Sequence, residues 1–119
     1  MDTAGATTDA ILSKSKRALK WDDDPPVPKG GLLRRLPIVN RRGLHARASA
    51  KFVQTVERYE AVVAVTRAGE TVGGRSIMGL LTLGAAQGTS IRVTALGPDQ
   101  DSCMEAISAL LANRFGEDE

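Results

Sequence analysis

The sequence predicts an α+β fold, an open-faced sandwich in which three helices cover one face of a four-stranded, mostly antiparallel sheet. The first observation is the order of the patterned segments, which is strand, helix, hairpin, short helix, strand, helix. The second is the absence of the regular strand-helix alternation that a doubly wound parallel sheet requires. The length of 119 residues also suits a single hydrophobic core.

The first strand and the first helix flank a short loop that carries a histidine. Residues 32–39 are apolar and basic and end in β-branched side chains, and Pro37 among them favours an edge strand. Residues 45–59 repeat apolar side chains at helical spacing, namely Ala48, Phe52, Val53 and Val56. The loop therefore places His45 at the N-terminus of an amphipathic helix.

Two further segments supply the other three strands. Residues 61–66 are mostly β-branched, Ala68 and Gly69 form a tight turn, and residues 70–72 return as a hairpin partner. Residues 89–96 alternate apolar and polar side chains before a Gly-Pro break, which is typical of a half-buried strand.

Capping residues mark the two remaining helices. Ser76 is a candidate N-cap for a short helix that runs to Leu83, with Gly84 as its stop. Asp99 or Asp101 is expected to cap the last helix, whose buried stripe contains Cys103, Ile107, Leu110 and Leu111.

The N-terminal part of the chain differs from the rest in composition. Residues 1–31 are polar, with clustered lysines and aspartates and then three prolines and two glycines, so we expect a mobile extension. Residues 32–119 form the predicted domain. The extension has neither the basic start nor the apolar run of a signal peptide, and no membrane span is predicted, so we expect a cytoplasmic protein.

Composition excludes several classes of function. A single Cys and a single His form neither an intramolecular disulfide nor a zinc site, so we expect no metal and no cofactor. The net charge of +2 and the aromatic content of 3% are low for a surface that binds nucleic acid by charge and stacking. Cys103 belongs to the buried stripe of the last helix and is left out of the candidate site.

The candidate site surrounds His45, the only imidazole in the chain. Gly43 gives the preceding loop conformational freedom, and the first turn of a helix presents backbone amides that have no intrahelical partner. A phosphoryl group on the imidazole would accept hydrogen bonds from these amides, interact with the helix dipole and contact Arg47. Arg41 and Arg42 are further candidate members of the site.

Two segments resemble one known family. Residues 43–52, GLHARASAKF, resemble the active-site segment of HPr, the histidine phosphocarrier of the phosphoenolpyruvate-dependent phosphotransferase system. Residues 75–84, RSIMGLLTLG, resemble the second signature of the same family. The resemblance covers about residues 32–115 and excludes the extension.

This resemblance implies that His45 receives a phosphoryl group from phosphorylated enzyme I and donates it to an enzyme IIA protein, with Arg47 assisting. The chain would then be a carrier, completed by its partners, rather than an independent enzyme. Many family members have Pro where this chain has Ala48, which leaves the rigidity of the loop open. The Arg-Ala-Ser sequence after His45 favours the nitrogen-related regulatory branch over sugar uptake.

The resemblance also assigns roles in the second segment. Ser76 occupies the position of a regulatory serine of the family. A dedicated kinase phosphorylates that serine, and a phosphorylase removes the phosphate. The alternative is that Ser76 is an unmodified N-cap. The short helix is apolar nearly all round, so part of it should be exposed for docking. We expect Ile77, Leu81 and Lys51 to contact partner proteins, and we expect a monomer.

Two other functions remain open from the sequence. A small basic nucleic-acid-binding or regulatory interaction domain without phosphotransfer is suggested by the pI near 9.0 and the arginines near the loop. A hydrolase that uses His45 as a base is the other, although no nucleophile elbow, zinc-binding His pair or phosphate-binding loop accompanies this histidine.

Overall fold

The computed structural model describes residues 24–119 and confirms the predicted order of elements. The strands are β1 (Leu32–Pro37), β2 (Val62–Arg67), β3 (Glu70–Gly73) and β4 (Ser90–Leu96). The helices are α1 (Ala46–Val56), α2 (Ile77–Thr82) and α3 (Gln100–Ala112), and a 3-10 turn follows at Arg114–Gly116. Within residues 24–119, no helix has the length and apolar character needed to cross a membrane.

The four strands form one antiparallel sheet in the order β1-β4-β2-β3. β1 is therefore an edge strand, as predicted, and Pro37 is its last residue. Proline has no amide hydrogen to donate to a neighbouring strand, so an edge strand is where it is tolerated. Leu36 of β1 lies opposite Ile91 of β4, and Val65 of β2 lies opposite Val93 of β4. This register brings the apolar side chains of the three strands to the same face.

The helices cover that apolar face of the sheet. Ile91, Val93 and Val65 are fully buried there, and α3 packs on β1 and β4. α1 packs against both α2 and α3, and its apolar stripe contributes Ala48, Phe52, Val53 and Val56 to the core. The open-faced sandwich with three helices is confirmed, and its core is almost entirely aliphatic.

The short helix α2 begins as expected at Ser76, whose hydroxyl accepts a hydrogen bond from the Gly79 amide at 2.9 Å. Gly79 itself lowers helix propensity, yet a Cβ at this position would lie 2.9 Å from the side chains of Ser76 and Val72. Glycine here therefore allows α2 to pack closely on β3.

The start of α3 differs from the prediction. Asp99 occupies the N-cap position, but its side chain makes no capping bond and accepts instead from the Glu60 amide at 2.8 Å. Asp101 is the second residue of the helix, within its first turn, and is exposed. The Asp99 side chain instead joins the start of α3 to the loop before β2. The buried stripe also gains Met104, while Leu110 is only partly buried.

The last residues of the predicted extension contact the domain. Asp24 accepts from Arg35 of β1 at 2.9 Å and from Arg92 of β4 at 2.8 Å, on the face of the sheet opposite the helices. These arginines face each other across the two strands, so the carboxylate separates two like charges. Residues 1–23 lie outside the described residues, and the division at residue 31 stays a prediction.

The two faces of α2 give a test of the packing. Leu80 is fully buried and Met78 is 70% exposed, so we expect Leu80→Ala to lower the free energy of unfolding by about 2–5 kcal/mol. The matched variant Met78→Ala should change it by less than about 0.5 kcal/mol. Urea denaturation of both variants measures the difference, and equal losses would contradict the assignment of the buried face.

Candidate functional site

The loop before α1 is fixed by a close contact with the loop after α2. Gly43 has φ +68°, and a Cβ at this position would lie 2.5 Å from the Ala85 carbonyl oxygen. The next amide, of Leu44, donates a hydrogen bond to that oxygen at 2.9 Å, and the Leu44 side chain is buried. Only glycine fits both the backbone angle and the space, so this contact sets where α1 begins.

His45, predicted as the first residue of the helix, is the N-cap residue of α1. The helix therefore starts one residue later than predicted, and it ends at Val56 instead of Tyr59. Its backbone is extended, and its carbonyl accepts the first bond of the helix from the Ser49 amide at 2.8 Å. The imidazole makes no capping bond to the first-turn amides, of Ala46, Arg47 and Ala48. The ring therefore lies beside the positive end of the helix dipole while its nitrogens remain available for other partners.

One of these nitrogens is already engaged. His45 Nε2 lies 2.5 Å from Glu117 Oε2, and the two side chains are only 20% and 16% exposed. An ionised carboxylate only accepts hydrogen bonds, so Nε2 carries the proton of this contact. In the neutral ring, the lone pair then lies on Nδ1.

Asn40 holds the second oxygen of the same carboxylate. Its Nδ2 donates to Glu117 Oε1 at 3.0 Å and to the Gly43 carbonyl at 2.8 Å, and the whole residue is buried. Asn40 Oδ1 has no hydrogen-bond partner among residues 24–119. One buried amide therefore connects the loop that carries His45 to the carboxylate that contacts it.

The surroundings of Glu117 favour its ionised form. Partial burial on its own would raise the pKa of Glu117. The hydrogen bonds from Asn40 and His45, with the charges of His45 and Arg42, outweigh this effect and hold the pKa below its ordinary value of 4.5. Glu117 is therefore a carboxylate at neutral pH.

A cationic cleft adjoins this pair. A cavity of about 420 Å³ is lined by four basic residues from the loop and α1 and by the chain after α3, namely Arg41, Arg42, Arg47, Lys51, Gly116, Glu117, Asp118 and Glu119. The four cations can attract an anion into this cleft, where it would compete with the carboxylates of Glu117, Asp118 and Glu119.

The four cations of the cleft are not equivalent. Arg41 pairs with Glu119 at 2.6 Å, and Lys51 Nζ donates to the Phe115 carbonyl at 2.6 Å. Arg42 and Arg47 are exposed and form no salt bridge with any residue in the range 24–119. Among the described residues, the guanidinium of Arg47, the predicted partner of a phosphoryl group, is therefore not neutralised by a carboxylate.

The predicted docking residues fall into different environments. Ile77 is 39% exposed and Leu81 is partly buried, both on α2, which packs beside α1. Met78, which the sequence did not single out for docking, is the most exposed apolar side chain of α2. Lys51 uses its ammonium within the chain, as described above. A docking role for Ile77, Leu81 and Lys51 stays a prediction.

Asn40 and Glu117 are the site residues that sequence analysis missed. Glu117 is 72 positions from His45 and 77 from Asn40, so no local spacing connects them. Cys103, by contrast, is buried in α3 as expected, and desolvation raises the pKa of its thiol. Between residues 24 and 119, no three His, Cys, Asp or Glu side chains form a set of metal ligands.

Comparison with known proteins agrees with the two sequence motifs. A family model described as "PTS HPr component phosphorylation site" matches residues 33–113. The phosphocarrier protein HPr of Xylella fastidiosa is 46% identical over 83 residues, 70% of this chain and 93% of the relative. The chain belongs to the HPr family. The HPr of Cupriavidus necator is 44% identical over 88 residues, 74% of this chain and 99% of the relative.

Solved structures of HPr proteins share the fold. The HPr of Thermoanaerobacter tengcongensis superposes with a TM-score of 0.71 at 34% identity, covering 74% of this chain and 99% of that protein. The HPr of Bacillus anthracis gives a TM-score of 0.66 at 33% identity, covering 68% of this chain and 96% of that protein. Both the predicted family and the predicted fold are confirmed.

The His45–Glu117 contact predicts a measurable change in acidity. His45→Ala removes a hydrogen bond and a positive charge from Glu117, so its pKa should rise toward 4.5. A ¹³C NMR titration of the side-chain carboxyl carbon measures this. Asp24, whose pKa is lowered by Arg92 and Arg35 on the opposite face of the sheet, is the internal control and should not change.

The same shift affects stability. Because the folded-state pKa of Glu117 is lowered, its carboxylate stabilises the fold above about pH 4.5, and this contribution is lost as the pH falls through the folded-state pKa. Urea denaturation of the wild type and Glu117→Gln over this range should show a difference that shrinks with falling pH. A constant difference would contradict the assignment.

Proposed function

We propose that this chain is a phosphocarrier that accepts a phosphoryl group on His45 and passes it to a second protein. The observation that carries the proposal is the position of the only histidine of the sequence, at the N-terminus of α1 and beside a cleft lined by Arg41, Arg42, Arg47 and Lys51. A nucleophile at the edge of a cationic cleft suits the transfer of an anionic group.

The chemistry needs little beyond this arrangement. A neutral imidazole is nucleophilic near physiological pH, and a covalent intermediate divides one phosphoryl exchange into two transfers. The amides of the first turn of α1 and the guanidinium of Arg47 stabilise the added charge. Arg42, which lines the same cleft, supplies a second exposed guanidinium.

Membership of the HPr family supports the proposed partners. Enzyme I is the proposed phosphoryl donor, and an enzyme IIA protein is the proposed acceptor, in the cytoplasm. Ala48, where many members of the family have Pro, and the Arg-Ala-Ser sequence support an assignment to the nitrogen-related regulatory branch. The exposed apolar side chains of α2, Ile77 and Met78, support a docking surface on that helix.

Ser76 is the proposed site of regulation by a kinase and a phosphorylase. It is exposed, and its hydroxyl caps α2 directly before the apolar side chains proposed for docking. A phosphate group there would add charge next to Ile77, where a partner would have to desolvate it. Modification of Ser76 would thus weaken docking without changing His45.

Phosphoryl transfer from phosphoenolpyruvate and the cognate enzyme I tests the main proposal. We expect the wild type to gain the mass of one phosphate in an acid-labile form and His45→Ala to gain none. Arg47→Ala should slow the transfer by about 100-fold, because one charged group on the phosphoryl oxygens is lost. An unlabelled wild type beside an active enzyme I would overturn the proposal.

The structural role of Ser76 has its own test. Ser76→Ala removes the bond to the Gly79 amide, so we expect the free energy of unfolding to fall by about 1 kcal/mol. Ser76→Thr keeps the hydroxyl and should retain most of the stability. Urea denaturation measures both variants, and an unchanged Ser76→Ala would show that the cap does not stabilise α2.

A further inference from the structure

The carboxylate of Glu117 is held from both sides. Oε2 contacts His45 Nε2 at 2.5 Å, and Oε1 accepts from Asn40 Nδ2 at 3.0 Å. Asn40 is completely buried and also donates to the carbonyl of Gly43, two residues before His45. The imidazole and the carboxylate are therefore fixed to one rigid loop, and their contact is largely removed from water, which strengthens it.

The backbone after α3 is held in a conformation that brings Glu117 to this position. Arg114 and Phe115 both have φ +56°, in the left-handed region that side chains other than glycine rarely adopt. The buried Phe115 ring and the bond from Lys51 Nζ to the Phe115 carbonyl hold this turn. Strained backbone that the surrounding contacts enforce is characteristic of functional sites.

We propose that Glu117 is a positioning residue for phosphoryl transfer, which accepts a hydrogen bond from the Nε2–H group of His45 and thereby keeps the lone pair of the neutral ring on Nδ1. This inference rests on the proposed phosphocarrier function. It adds to the transfer machinery a residue that lies outside both sequence motifs. Asn40 holds this residue, Glu117, through a hydrogen bond.

The transfer step is balanced without any further group. The lone pair of Nδ1 attacks the phosphorus, and the bond from phosphorus to the donor atom breaks with its electron pair remaining on the donor. The Nε2 proton stays on the ring, so the imidazole gains positive charge as the new bond forms, and the Glu117 carboxylate stabilises that charge. In the onward transfer, the electron pair of the bond between phosphorus and Nδ1 returns to Nδ1.

The position of the ring proton is the first test, because it does not require transfer activity. ¹⁵N NMR of the imidazole nitrogens in the full chain should show the neutral ring protonated at Nε2 in the wild type. In Glu117→Ala the protonated Nδ1 tautomer should gain population. The control Asp101→Asn changes an exposed carboxylate of α3 that does not line the cleft, and it should match the wild type. Identical spectra for the wild type and Glu117→Ala would overturn the proposal.

The rate of transfer from phosphorylated enzyme I is the second test. Glu117→Gln keeps the shape and an acceptor oxygen but loses the charge, so we expect kcat to fall about tenfold. This variant removes one negative charge from the cleft, so the KM for phosphorylated enzyme I should not rise. A folded Glu117→Gln protein with unchanged or higher kcat would overturn the positioning role, whereas an unlabelled wild type would instead overturn the phosphocarrier function.

Discussion

The geometry of the site depends on one contact between two loops, in which the backbone at Gly43 passes against the Ala85 carbonyl. The Leu44 amide bonds the same oxygen, so the chain enters α1 from a fixed direction. His45 can then be the N-cap residue, with an extended backbone and an imidazole that takes no part in capping. A side chain at position 43 would separate the loops and move the histidine relative to the cleft. The glycine of the motif therefore serves the histidine through backbone packing.

Of the four cations that line the cleft, two have acceptors within the chain and two form no salt bridge within residues 24–119. Glu119 pairs with Arg41, and the Phe115 carbonyl accepts from Lys51, which fastens the segment after α3 to the loop and to α1. Arg42 and Arg47 keep exposed guanidinium groups. The first pair of cations holds this segment against the loop and α1, and the second pair supplies the guanidinium groups of the proposed anion site. Lys51, which was expected at a docking surface, uses its ammonium group in this internal contact.

The predictions from sequence succeeded where the signal is local. Period-2 and helical spacing gave the order of the elements, and the Ser76 cap was correct because its partner, Gly79, is three residues away. The capping role of Asp99 was wrong because a distant amide, of Glu60, competes for the same carboxylate. On α2, the apolar side chains surround the helix, so contacts with other elements decide that Leu80 is buried and Met78 exposed. Sequence spacing contains no information on such contacts.

In the candidate site too, the residues close together in the chain were predictable and the distant one was not. The motif around His45 indicates the proposed reactive group from ten consecutive residues, because the helix start, the imidazole and Arg47 are neighbours in the chain. In the proposed mechanism, the position of the ring proton depends on Glu117, which lies 72 residues further along the chain and contacts His45 just after the buried Phe115. An imidazole alone leaves either nitrogen free to carry the proton, and a buried carboxylate on one of them removes this choice. The fold thus determines the chemical state of a residue whose identity the sequence motif already indicates.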